Sequence, residues 1–286
     1  MFADFVFEAT SQIIHQAAKL HYMSNGKLSI PLILRAPIGI IKSAGAHHSG
    51  TYYPIWAHIP GLTVVVPSNP ADAKGLMTTA LCTDGPVVFM EPKALFAMKG
   101  PVPVGEHFVP FGQASVIRSG TDLTIVTCGQ VTHFCLEAAD RLQEQGLSCE
   151  VIDLRTIVPL DVDTIARSVA KTSRLLIADE AWSAFGLGAE ITAAMMELAF
   201  DKLDAPIGRL NTEPVPYPFS PVLEKNIAVT VDKIITAAES VMSGTAPRQT
   251  RPRTSPAIQA PELTPPPVAT PVQPAKPSPA PTSEKG

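Results

Sequence analysis

Charged side chains are scarce in this 286-residue chain: Asp, Glu, Lys and Arg make up 17% of it, with 22 basic against 26 acidic residues and a net charge of −4. That balance offers no basic face for phosphates, which argues against nucleic acid as a partner. No apolar run approaches the roughly 20 residues a bilayer-crossing helix needs. The longest, at residues 62–66 and 175–178, have strand length, so no membrane partner is expected. The amino terminus has no basic segment ahead of an apolar one, and Asp4 and Glu8 are wrong for a transit peptide. Cysteine is limited to Cys82, Cys128, Cys135 and Cys149, with no Cys-x-x-Cys pair. Their apolar neighbours predict reduced core thiols and a reducing, cytoplasmic setting. Also lacking are a serine-centred elbow, a Walker loop and a Gly-Asp-Gly metal–diphosphate motif. With 45% hydrophobic residues, what remains is a soluble globular protein long enough for two cores.

What is present is an alternation. Residues 28–35 and 62–66 read as strands joined through a Gly-containing loop at 36–49. Ser68-Asn69-Pro70-Ala71-Asp72 starts a helix running to about residue 81, with a polar cap, proline in the first turn and an acid near the positive helix end. Residues 86–90 form the next strand. Pro101, Pro103 and Pro110 mark 99–110 as a linker. Beyond it the spacing predicts strands at 123–128, 148–153, 174–178 and 206–210, with helices at 132–145, 161–171, 188–203 and 225–242. Continuous Val, Leu and Ile strands joined through helices signal an α/β fold with mostly parallel sheets covered on both faces. No internal repeat is found. The divisions are a partial first domain at 1–98, the linker at 99–110, a second domain at 111–243 and a tail at 244–286. The tail holds twelve of the 29 prolines and no aromatic residue, and predicts a disordered, polyproline-rich arm. Its net charge of +3 leaves −7 on the rest. The chain opens on a segment, residues 2–5, that reads as a strand leading into a helix with nothing but Met1 before it, so the fold is expected to begin upstream.

In α/β sheets ligands gather at the carboxyl ends of strands. There the loop Ala46-His47-His48-Ser49-Gly50 carries histidine, whose unperturbed pKa lies nearest neutrality. Catalysis, metal binding and an ordinary loop histidine all remain open from spacing, though adjacent histidines point apart and no third ligand falls at helical spacing. Asp179, Glu180 and Glu91 end strands. They are read as solvated strand ends or partners of Arg155 or Lys93, with acid–base work open if they are desolvated. Gly186 and Gly188 before a helix form a weak anion cradle, and Trp182 and Phe185 beside them suggest packing or a partner surface.

Phe2-Ala3-Asp4-Phe5, Gln16-Ala17-Ala18-Lys19, Ala57-His58-Ile59-Pro60-Gly61-Leu62, Asp72-Ala73-Lys74-Gly75-Leu76, Val151-Ile152-Asp153-Leu154-Arg155-Thr156, Pro159-Leu160-Asp161 and Gly188-Ala189-Glu190-Ile191 stand in one order over residues 2–242. This series resembles the β subunit of the thiamine-diphosphate-dependent decarboxylase of 2-oxo acid dehydrogenase complexes, of the pyruvate and branched-chain type. The resemblance implies a partial transketolase-like pyrimidine-binding domain followed by a transketolase C-terminal domain. It implies oxidative decarboxylation of a 2-oxo acid, pyruvate first, with acyl transfer to lipoamide. It also implies an α subunit that holds the diphosphate through magnesium, an α2β2 heterotetramer, and docking of the lipoyl-bearing acyltransferase core. Phe5 falls on the position that stacks on the pyrimidine, and His48 on the catalytic histidine. Leu32, Ala80 and Leu81 fall near positions where some relatives bind potassium through backbone oxygens; Thr83, with Asp84 beside it, stands where a carboxylate would help.

The chain departs from that pattern in three places. The family's catalytic glutamate lies upstream of Phe2, so this polypeptide is expected to be inactive without an α subunit and that segment. His48-Ser49-Gly50 replaces the usual His-Ser-Gln, and the proline-rich arm is an addition. The alternative reading is a non-catalytic assembly subunit that docks partners without the glutamate segment. A start codon lying upstream would equally account for the gap.

Overall fold

A computed structural model of the chain describes residues 2–247. The expected arm at 244–286 therefore lies, from residue 248 onward, outside the described residues. Residues 3–23 are helical apart from a turn at residues 18–19: a 3-10 stretch Ala3–Ala9, a π-helical stretch Gln12–Ala17 and α1 (Leu20–Met23). The strand expected over residues 2–5 is thus not formed. Its buried residues, Ala3 and Val6, recur every three positions, the period of a 3-10 helix and not the period of two that a strand needs.

The remaining elements follow as β1 (Ile33–Ile38), α2 (Tyr53–Ala57), β2 (Thr63–Val65), α3 (Pro70–Leu81), β3 (Val87–Pro92), β4 (Ser115–Arg118), β5 (Leu123–Thr127), α4 (Val131–Glu144), β6 (Cys149–Asp153), β7 (Thr156–Val158), α5 (Val162–Thr172), β8 (Leu175–Trp182), α6 (Leu187–Leu198), β9 (Gly208–Thr212), α7 (Pro221–Ile227) and α8 (Val231–Met242). One sheet has the order β1-β3-β2-β7, the other β4-β6-β5-β8-β9. All pairings are parallel except β2 with β7 and β4 with β6. The α/β, mostly parallel architecture is as expected. The single closing helix is not, since the chain breaks at residues 228–230 and Thr230 caps α8 by accepting from the Lys233 amide.

β7 is the unexpected element. It comes from the second half of the chain, yet it extends the first sheet, with Val64 opposite Val158. The core follows suit. Trp56, Val64 and Val88 share one cluster with Val126, Ile152 and Ile177. Within β5, Ile125 faces a second cluster with Leu142 and Ile234, so adjacent residues serve opposite faces of the sheet. Residues 99–110 do not hang free either. The Lys74 ammonium donates to the Pro103 and Gly105 carbonyls at 2.7 and 2.6 Å, and Val109 is buried against α3.

Candidate active site

The carboxyl ends of β1, β3 and β8 converge. β1 leaves the sheet at Gly39, whose φ of +90° suits glycine, and a Cβ there would lie 2.7 Å from Glu180 Oε2. The next amide, of Ile40, donates to Glu180 Oε1 at 2.7 Å, so a carboxylate at the end of β8 caps the turn leaving β1. Beyond the turn, the loop to α2 carries both histidines. His47 is exposed, whereas His48 is half-buried, its ring edge-on to Phe2 and Phe5 with centroids 4.9 and 5.4 Å away. The two candidates Phe5 and His48 therefore meet, although 43 positions separate them in the chain.

Asp4 ties this contact down. Its Oδ1 accepts from the Gly50 amide at 3.3 Å and from the Tyr52 hydroxyl at 3.1 Å, while Oδ2 is buried with no partner. Burial, followed by the Asp4 charge, pushes the Tyr52 phenol up to about 12. Gly50 is what lets Tyr52 lie so close, since a Cβ there would be 2.0 Å from the ring.

The strand-end carboxylates are not solvated. Asp179 and Glu180 are buried, which raises Asp179 to about 6 and Glu180 to about 7. Asp179 accepts from the Tyr53 hydroxyl. Glu91 does keep the structural role: it pairs with Arg35 at 2.7 Å, not with Lys93, while Arg155 pairs with Asp72 at 2.9 Å. Lys93 is itself buried at the end of β3, and its ammonium donates to the His48 carbonyl. The placement of Asp4 and Lys93 at the His48 loop was not legible in the sequence, because each touches residues more than forty positions away, a distance no local period encodes.

The glycines of Gly186-x-Gly188 serve packing. A Cβ on Gly186 would sit 2.4 Å from the Trp182 carbonyl, and one on Gly188 would sit 3.2 Å from the Arg209 side chain. Trp182 packs on Tyr217 and Tyr52, with centroids 5.3 and 5.9 Å away, while Phe185 is wholly exposed beside a groove of about 1110 Å³ that Tyr52, Ile55, Leu160 and Trp182 help to line. All four cysteines are free. Cys82, expected in the core, is exposed because it follows the last turn of α3.

Leu32 lies beside the turn after Ala80 and Leu81, since the Ile30 amide donates to the Asp84 carbonyl at 2.9 Å. The Leu32 and Ala80 carbonyls each already accept an amide, from Val87 at 2.8 Å and from Thr83 at 3.2 Å. Among the described residues no group of three or more His, Cys, Asp or Glu side chains is gathered as a metal site. The cluster around His48 suits a flat heteroaromatic amine. Phe5 leaves 39% of its surface open for stacking, and the orphaned Asp4 Oδ2 is an acceptor in search of a donor.

Comparison with known proteins is consistent with this geometry. Residues 1–133 match the family described as transketolase, pyrimidine binding domain, and residues 112–234 match transketolase, C-terminal domain. The chain is 44% identical over 238 residues to the pyruvate dehydrogenase E1 component subunit beta of Rickettsia felis, covering 83% of this chain and 73% of that one. It is 42% identical to the acetoin:2,6-dichlorophenolindophenol oxidoreductase subunit beta of Cupriavidus necator, covering 85% and 72%. It is 41% identical to the 2-oxoisovalerate dehydrogenase subunit beta of Bacillus subtilis, covering 82% and 72%. Among solved structures, a split-gene transketolase described as an inactive beta4 tetramer shares the fold, with a TM-score of 0.66 at 22% identity, covering 85% of this chain and 75% of that chain.

Proposed function

The chain belongs to the family that joins a transketolase pyrimidine-binding domain to a transketolase C-terminal domain, that of the 2-oxo acid dehydrogenase β subunits, and from that premise we propose that His48 and Phe5 are its contribution to catalysis. The family depends on thiamine diphosphate and works with an α subunit. When bound, that cofactor supplies the electron sink through which a 2-oxo acid loses carbon dioxide.

This chain supplies part of the site that holds the cofactor. Phe5 offers an open ring face to the aminopyrimidine, and Asp4 Oδ2 offers an acceptor beside it. His48, at the edge of the same ring, moves protons during acyl transfer. The observation that carries the reading is the packing of the His48 imidazole against Phe2 and Phe5 at the convergent strand ends. The finer assignments are ours as well. The substrate is pyruvate, as named for the Rickettsia relative. Magnesium is held by the α subunit, in an α2β2 assembly. Potassium is held by the backbone oxygens of Leu32, Ala80 and Leu81, at the end of α3 where the helix dipole favours a cation. The acyl group passes to a lipoyl-bearing acyltransferase core docked on the second domain, which follows the linker at 99–110. The exposed Phe185 and its groove suit a covering subunit. Four free thiols suit a cytoplasmic setting.

The test is co-expression of this chain, with the upstream glutamate-bearing segment supplied, and a cognate α subunit, followed by 2-oxo-acid-dependent dye reduction. His48→Ala is expected to lower turnover by about 10²-fold or more while the complex still assembles. Undiminished turnover in that variant would refute the assignment.

A further inference from the structure

Lysine is rarely buried without a partner, yet Lys93 is only 4% exposed, in the short 3-10 turn that follows β3. Its ammonium donates to the main-chain carbonyl of His48 and lies 4.7 Å from the centroid of the Phe2 ring. That ring is one of the two that hold the His48 imidazole edge-on. Lys93 therefore grips His48 twice, once through its backbone and once through the aromatic ring on which it leans.

The loop bearing His48 is anchored farther out by the Ser43 amide on Glu224 at 3.0 Å and by the Gly39 amide on the Gly50 carbonyl at 3.4 Å, and nearer the histidine by three contacts. The His48 amide reaches Gly45 O at 3.3 Å, Ser49 Oγ reaches the same carbonyl at 2.9 Å, and the Gly50 amide reaches Asp4. Asp4 serves both ends, for its charge also acts on Lys93, as does that of Glu180. Burial lowers the Lys93 pKa, and these two carboxyl groups oppose that shift.

We propose that Lys93 is a positioning residue for His48: its ammonium clasps the His48 carbonyl and the Phe2 ring so that the imidazole keeps one orientation. The inference rests on the role given to His48 above and deepens it. An imidazole on a loop samples many orientations, and a misplacement of about 1 Å at a reacting group costs on the order of 10²-fold in rate. A cation inside the protein can hold backbone and ring together only where counter-charges keep it ionised. Asp4 and Glu180, one from each half of the chain, act in that direction.

The experiment reads His48 without cofactor. In the full chain alone, the His48 Cε1 proton, identified by its loss in His48→Ala, is expected to be displaced by ring currents from the other six histidines. Lys93→Met is expected to abolish that displacement while leaving the resonance of His133, held by the Ser68 carbonyl at 2.7 Å, in place. In the complex with the α subunit, with the upstream glutamate-bearing segment supplied, the same variant is expected to lower kcat by about 10- to 100-fold with KM unchanged, and Lys93→Arg is expected to recover part of the loss.

A folded Lys93→Met with an unmoved His48 resonance overturns the proposal, whatever happens to turnover, because loss of rate alone would mark a merely structural lysine. Should Lys93→Met fail to fold, the wild-type chain still decides, since a His48 resonance among those of exposed histidines overturns it equally. The functional reading fails separately, through wild-type turnover in His48→Ala.

Discussion

Glu180 and Asp179 show how burial changes what a side chain can do. Glu180 in the unfolded chain titrates near its ordinary value of 4.5 and in the folded chain near about 7. Between those values the native state holds more protons than the unfolded state, so stability falls as pH rises through that window and levels off above it. Replacing Glu180 by Gln, which keeps an acceptor for the Ile40 amide, removes that loss. The variant is expected to gain on the wild type from about pH 4.5 to about pH 7, by up to about 3 kcal/mol. Urea denaturation of both proteins across that range checks it, and a pH-independent difference would count against the assignment. A second residue-scale prediction concerns Gly50, where a methyl group would meet the Tyr52 ring at 2.0 Å and drive its hydroxyl from Asp4. Gly50→Ala is expected to cost about 1–3 kcal/mol. Adding Tyr52→Ala is expected to cost less than the two single changes summed, as a double-mutant cycle would read. The sequence shows the Gly50 departure from the family loop but not its fit to a neighbouring ring.

At the scale of elements, legibility tracked how local the signal was. α3 begins and ends where its residues predict, because the cap acts within four positions: the Asn69 side chain accepts from the Asp72 amide at 2.8 Å. Asn69→Ala is therefore expected to lower stability by about 1 kcal/mol, measured by thermal or urea unfolding. β5, β6 and β8 were legible from their apolar-rich stretches, although β8 runs on to Trp182, past the expected end at residue 178. β4 and β7 were not, since each is short and is a strand only because of the neighbour it pairs with. The 3-10 start at Ala3–Ala9 failed to show for a related reason: its aromatic residues favour a strand locally, and packing of Ala3 and Val6 into the core overrides that preference. Gly75 belongs with these long-range effects, because a Cβ there would strike Val109 of the linker at 2.5 Å.

For the whole molecule, the two halves are not separable at residues 99–110. β7 crosses to the first sheet, one hydrophobic cluster spans both halves, and residues 2–247 belong to one compact unit. Residues 1–110 expressed alone would expose the edge of β2 and cut that cluster. They are expected to aggregate, whereas residues 1–247 are expected to unfold in a single cooperative transition. Light scattering and calorimetry on the two fragments distinguish the outcomes, and a soluble, cooperatively folded 1–110 fragment would contradict the shared core.

The amino-acid sequence by itself determined the α/β class, the parallel strands and the cap of α3, and the family resemblance of its ordered motifs singled out Phe5 and His48 as candidates. These follow from periodicity, capping and motif order, all written within a few positions of the chain. Only the tertiary structure decided that Lys93 holds the His48 carbonyl and Asp4 the Gly50 amide of the same loop, that β7 completes the first sheet, and that Asp179 and Glu180 are buried. Proximity across dozens of residues and the desolvation that raises a carboxyl pKa are properties of the packed whole, and no local pattern carries them.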